Sequence, residues 1–185
     1  LEALKARSLE VLLLTEPVDE YVMQSVREYK EKKIISADSE ELKLEKLDAE
    51  PEGKAMNKKD TKSLCKWLKE TLKDKVSEVE TGERLIDSPV CIVGADGMGG
   101  ASARRVMKMM QGGDDAMPTS PVKLQVNQRH PIIKGLSHLV KADKDTAELI
   151  ANQLLDNALA TANLLDDPRE MIARSYQAIE KLANQ

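Results

Sequence analysis

The chain contains no phenylalanine, a single tryptophan (Trp67) and only three tyrosines among 185 residues. Any core must therefore be built from Leu, Ile, Val, Met and Ala. Basic charge is not in excess: 28 Lys and Arg stand against 32 Asp and Glu, a formal charge of -4. That excludes the basic footprint of a nucleic-acid binder. The short clusters Lys58-Lys59 and Arg104-Arg105 lack interleaved aromatics and read as solvated surface. Histidine is almost absent too. His130 and His138 have no Cys or carboxylate at ligand spacing, which argues against a metal site or a general base. No Ser, His and acid set presents itself. Cys65 and Cys91 are the only cysteines. Both lie among apolar neighbours and read as buried reduced thiols, which suits an intracellular compartment. No apolar run is long enough to span a membrane. The first residue is Leu1 rather than Met, so the chain reads as a piece of a longer protein.

With 41% hydrophobic and 32% charged residues, the composition is that of a soluble globular chain. Its densest apolar patterning lies at the end. Over Asp143–Leu165, Ala147, Ile150, Ala151, Leu154, Ala158, Ala162 and Leu165 fall on one face at helical spacing. Leu149, Leu155, Leu159 and Leu164 form a second apolar surface. Asp166-Asp167-Pro168-Arg169-Glu170 then signals a new helix, with Asp167 as cap, Pro168 at the first position and Glu170 at capping-box spacing. The last helix carries Met171, Ile172, Ser175, Tyr176, Ile179, Leu182 and Ala183 on one side. A hairpin apolar on two sides needs its own domain and a second partner, and another copy is the simplest one. The alternative is a hairpin wholly buried in its own domain.

Upstream, Leu9–Leu14 suits a buried strand, Val18–Tyr29 has helical spacing, and Ile34–Ala37 reads as a second strand. Together they predict a parallel pair with a right-handed crossover. Asp38–Lys59 is charge-rich and aperiodic. It marks a boundary, with 51–59 as linker between a leading piece (1–50) and a main domain (60–185). Asp60–Lys73 predicts a helix with Leu64, Trp67, Leu68 and Leu72 inward. Val76–Thr81, Val90–Val93 and Val122–Val126 predict three strands, and Pro131–Val140 a helix. The fold class is α+β.

Gly94-Ala95-Asp96-Gly97-Met98-Gly99-Gly100 follows a strand and precedes a helix at about Ala101–Met110, as a phosphate-binding loop would. No Lys-Ser or Lys-Thr follows the glycines, and Ser102 stands where a dinucleotide fingerprint has its third glycine. A hinge before a mobile helix is the better reading. The alternative is a small nucleotide-binding α/β domain. Five of the eight methionines lie between Met98 and Met117. Val106, Met109 and Met110 share a face with Met107 beside them. Such a surface suits varied apolar partners or gap-filling core.

Three blocks carry a resemblance. They are Glu10-Val11-Leu12-Leu13-Leu14-Thr15-Glu16-Pro17-Val18-Asp19-Glu20-Tyr21, then Leu64–Val79 with Arg84-Leu85-Ile86-Asp87-Ser88-Pro89, then Leu124-Gln125-Val126-Asn127-Gln128-Arg129-His130-Pro131-Ile132-Ile133. With the terminal hairpin they resemble the heat shock protein 90 family of molecular chaperones over nearly the whole chain. The link between Gly97 and Lys123 and the ending Leu165–Met171 look more like the mitochondrial branch than the cytosolic one. The chain also lacks the Met-Glu-Glu-Val-Asp tail of cytosolic members, though a truncated chain would end the same way. Mitochondrial location is thus the expectation and cytoplasmic the alternative.

The resemblance implies that residues 1–50 end a middle domain. It implies that the rest is a dimerisation domain, a small three-stranded sheet with helices. Its last two helices would form a four-helix bundle with a second copy. The dimer contacts would be Ile150, Leu154, Leu155, Ala158, Leu159, Ala162, Leu165, Ile172, Tyr176, Ile179 and Leu182. The family's client-binding helix falls on Met98, Val106, Met107, Met109 and Met110, although the family often has Trp where this chain has Met98. The ATP site of the family lies in a domain upstream of Leu1. This stretch is therefore expected to bind no cofactor and to catalyse nothing itself, with ATP and magnesium bound elsewhere in the full-length protein. The implied partners are a second copy and unfolded clients, with neither nucleic acid nor membrane.

Overall fold

The computed structural model describes residues 2–37, 39, 42, 44, 53–82, 85–93, 121–165 and 167–184. Its elements mix helices with small sheets, as an α+β chain should. In the leading part, α1 (Glu2–Lys5) is followed by α2 (Pro17–Ser25) and a short antiparallel hairpin of β1 (Glu28–Tyr29) and β2 (Lys32–Lys33). Helix α2 starts at Pro17, where fixed φ and a missing N–H are tolerated. Asp19 reaches back to the amides of Thr15 and Glu16 at 3.1 and 3.0 Å.

Three expectations for this part are corrected. Leu9–Leu14 forms no strand, and Leu9, Leu12, Leu13 and Leu14 are all exposed. An apolar run becomes a strand only beside an edge it can pair with, and none of the described residues provides that edge. Ile34–Ala37 is likewise not a strand, so the parallel crossover is absent. The helix expected to reach Tyr29 ends at Ser25, because the chain turns into the β1–β2 hairpin. That hairpin turns through Lys30 and Glu31 with φ of 47° and 62°. Such left-handed pairs normally announce themselves through Asn or Gly, and here neither is present.

The helix expected over Asp60–Lys73 starts two residues earlier, at Lys58. Asn57 caps α3 (Lys58–Leu72), its Oδ1 accepting from the Asp60 amide at 2.9 Å, while the Thr61 hydroxyl donates to the Asn57 carbonyl. The stretch just before α3 is held by two hydrogen bonds. The Met56 amide donates to the Gln128 carbonyl at 3.1 Å, and Arg129 Nη1 donates to the Gly53 carbonyl at 2.8 Å. Thr61, Leu64, Leu68 and Leu72 form the buried stripe of α3, and Trp67 packs at its margin.

Strands β3 (Val76–Thr81), β4 (Val90–Val93) and β5 (Val122–Val126) coincide with the sequence expectation. Their order is β3-β5-β4, with β5 parallel to β3 and antiparallel to β4. Leu124 sits opposite both Val79 and Ile92, and all three are buried. On the other face Lys123 pairs with Glu78 and Glu80, each at 3.3 Å, and Gln125 Nε2 donates to Glu80 at 2.9 Å. This alternation keeps one face dry.

Three helices complete the domain: α4 (Pro131–Ala142), α5 (Lys144–Thr161) and α6 (Pro168–Ala183). The imidazole of His130 caps α4, with Nδ1 accepting from the Ile132 amide at 3.1 Å. Helix α5 packs on β4, α3 and α4, so the core runs from Leu64, Leu68 and Leu124 through Ile133 and Leu136 to Ala151 and Leu155. Cys65 and Cys91 form no disulfide and are half-buried. Burial, with the negative charge of Glu80, pushes the Cys65 thiol up and keeps it protonated.

Candidate functional site

Local chemistry fixes the terminal helical pair at each corner. Asp143 caps α5, its Oδ1 accepting from the Thr146 amide at 3.0 Å and its Oδ2 from the Thr146 hydroxyl. These two bonds hold the Asp143 carboxyl below its ordinary range, against a small opposing desolvation and with help from Lys181. Helix α5 ends on Asn163 at φ 56°, with the Leu164 amide donating to the Leu159 carbonyl and the Asn163 amide to that of Ala160. This is a Schellman closure, and it turns the chain back with Leu164 buried. Asp167 caps α6 by accepting from the Arg169 amide at 2.9 Å, and it also pairs with the Arg169 guanidinium. Those contacts lower the Asp167 carboxyl and raise the Arg169 guanidinium. Glu170, expected to close a capping box, instead lies 3.4 Å from Arg174 Nη1.

Helix α6 has no buried residue. It lies on α5 through polar ties at both ends. Arg174 pairs with Asp156 near its start, and Lys181 Nζ donates to the Thr146 hydroxyl at 2.8 Å near its end. Ile172, Tyr176, Ile179 and Leu182 then stand 45, 68, 56 and 69% exposed. Their spacing of four, three and three residues puts them in one stripe. With each about half to two-thirds exposed, covering all four would contribute roughly 4–7 kcal/mol per chain, at about 1.5–3 kcal/mol for a full burial. A stripe of that kind on both copies is comparable with the cost of association, about 4–15 kcal/mol.

The expected contact residues therefore divide. Leu154, Leu155 and Ala158 are buried in the chain's own core, with Leu155 fully enclosed. Ile150, Leu159 and Ala162 are partly buried against that core, and Leu165 is half-buried. Only Ile172, Tyr176, Ile179 and Leu182 are open. Helical spacing shows that α5 has an apolar face but not which neighbour covers it. The residues expected to bind clients, Met98, Val106, Met107, Met109 and Met110, lie outside the described residues, as does the Gly94–Gly100 loop. Sequence reasoning missed Asp156 and Arg174. The only signal was one acid set among the buried positions of an apolar helix. Among the described residues no cluster of His, Cys, Asp and Glu could hold a metal, and no helix is long and apolar enough to cross a membrane.

Comparison with known proteins adds to this geometry. The model of the family described as Hsp90 protein matches residues 1–185. Chaperone protein HtpG of Desulfotalea psychrophila is 36% identical over 185 residues, covering 97% of this chain and 30% of that protein. Heat shock protein 75 kDa, mitochondrial, of Bos taurus is 34% identical over 189 residues, covering 97% of this chain and 26% of that protein. The TNF receptor-associated protein 1 homolog, mitochondrial, of Dictyostelium discoideum is 29% identical over 182 residues. The chain thus spans less than a third of the length of these relatives.

Proposed function

The chain belongs to the Hsp90 protein family, and from that premise we propose that it is the pairing and client-contacting region of an ATP-driven molecular chaperone. The observation that carries the proposal is the open stripe Ile172, Tyr176, Ile179 and Leu182 on a helix with no buried residue of its own. Two copies of the α5–α6 pair, packed stripe to stripe, make a four-helix bundle and cover the apolar area that each leaves exposed. In this reading residues 1–50 close a preceding domain, and 60–185 form the dimerisation domain.

Pairing at this end raises the effective concentration of whatever the two chains carry at the other. In this role the segment hydrolyses nothing. ATP and magnesium act in a domain outside it, and the methionine-rich stretch 98–110 offers a client an adaptable apolar face. Relatives carry both mitochondrial names and the bacterial name HtpG. The mitochondrial setting is our reading, with a cytoplasmic one as the alternative.

Light scattering across a dilution series tests the pairing. The expected mass is twice the 20.5 kDa of the chain, holding to low concentration. A mass of one chain at every concentration would contradict it.

A further inference from the structure

The turn Ile86–Ser88 gathers three backbone N–H groups onto one oxygen. The amides of Ile86, Asp87 and Ser88 donate to Glu2 Oε2 at 3.0, 2.8 and 3.1 Å, and the Ser88 hydroxyl donates to Oε1. The carboxylate comes from α1, more than 80 positions earlier in the chain. Successive amides aimed at one point form a nest, a concavity of fixed partial positive charge suited to an anion.

Asn127 holds that nest in shape from behind. It is 5% exposed, and its Nδ2 donates to the carbonyls of Ile86 and Ser88 at 3.0 and 3.3 Å. Its backbone amide donates to the Pro89 carbonyl at 2.8 Å, and its Oδ1 accepts from the Arg129 amide at 3.0 Å. The carbonyls of the turn are thus gripped on the side of Asn127, which leaves the N–H groups turned the other way, toward Glu2. Asn127 directly follows β5, so the turn is held from the side of the sheet.

The leading segment is fastened at this point. Ala3 and Leu4 of α1 are buried, whereas Leu9, Leu12, Leu13 and Leu14, just beyond, are exposed. We propose that the Ile86–Ser88 turn is a preformed carboxylate receptor, occupied in cis by Glu2, which latches α1 to the sheet domain and can let go without unfolding it. The ligand class is a single carboxylate, and the tether through the chain gives Glu2 a high effective concentration there. The proposal is independent of what α6 pairs with.

The test is amide exchange and chemical shift by NMR on the chain, with Glu2→Ala and Glu2→Gln variants. In Glu2→Ala the protection of the Ile86, Asp87 and Ser88 amides is expected to fall by about tenfold or more, as for hydrogen bonds to a charged acceptor. Glu2→Gln falls between this variant and the unaltered chain. The amides of Leu124 and Val126, in the sheet, keep their protection. Sodium acetate added to Glu2→Ala restores the shifts of the three amides, and sodium chloride at equal ionic strength does not. Unchanged protection at 86–88, or acetate acting no differently from chloride, would overturn the receptor. Loss of protection at Leu124 and Val126 as well would make Glu2 a support of the whole fold and overturn the latch.

Discussion

Arg174 Nε and Nη2 both lie 2.6 Å from the same oxygen, Oδ2 of Asp156, whose side chain is only 5% exposed. This pair ties α6 to α5. Because α6 buries no side chain of its own, the tie matters more than its area would suggest. Removing the cation leaves a buried carboxylate without its counter-charge, which typically costs about 3–5 kcal/mol. Arg174 is itself 22% exposed, so water softens the loss. Urea denaturation of Arg174→Met is expected to show a loss of about 2–4 kcal/mol. The double variant Asp156→Leu with Arg174→Met should recover most of it, since an apolar pair needs no counter-charge. Equal losses in the single and double variants would show that the charges are not coupled.

His130 supplies an unusual cap. His130→Ala removes the acceptor for the Ile132 amide and should cost about 1 kcal/mol. His130→Asn offers an oxygen in the same role and should lose only a fraction of that. Thermal denaturation of the two variants checks the order. A His130→Asn variant as damaged as His130→Ala would mean that the ring acts through packing.

Leu155 and Tyr176 were both expected at the subunit contact, and the fold separates them. Leu155→Ala opens a cavity in the core and should cost about 2–5 kcal/mol wherever stability is measured. Tyr176→Ala should change the stability of a single chain by less than about 0.5 kcal/mol, because its ring is exposed there. Its effect should appear instead in the concentration dependence of the mass. Denaturation of both variants at matched low concentration makes the comparison.

Acid should loosen α1 before the sheet. Partial burial pushes the Glu2 carboxyl up, but the Ser88 hydroxyl and the amides of Ile86, Ser88 and Asp87 outweigh it and hold the group at about 2, against 4.5 ordinarily. The folded value lies below the unfolded one. The stabilisation is therefore fully present above about 4.5 and is lost as the pH falls toward 2. Amide protection at 86–88, measured on the chain and on Glu2→Gln, should differ most above pH 4.5 and converge toward pH 2. The comparison cancels whatever Asp87 of the same turn contributes. A difference independent of pH would show that charge plays no part.

Strands β3, β4 and β5 were legible residue for residue, because each has a buried apolar face bounded by turn residues. Helix α4 was legible through Pro131 at its first turn, α5 through the apolar spacing that begins at Ala147, and α6 through the Asp167 cap and Pro168. The missing information was non-local. Leu9–Leu14 has the composition of a buried strand, but pairing depends on an edge elsewhere. The β1–β2 hairpin turns on Lys30 and Glu31, which carry no turn signature. Helical spacing found the apolar faces of α5 and α6 together, but not that Leu154, Leu155 and Ala158 turn inward while Tyr176 and Ile179 turn out. The Glu2 contact spans more than 80 positions and leaves no trace in local pattern.

The most direct test of pairing through α6 is the molar mass, by light scattering, of a Tyr176→Asp, Ile179→Asp double variant beside the unaltered chain. Both positions are exposed in the single chain, so folding is retained, and the far-ultraviolet circular dichroism should be unchanged. The expected result is a dimer for the unaltered chain and a folded monomer for the variant. A variant that remains a dimer at the same dilution would contradict the α6 stripe as the pairing surface.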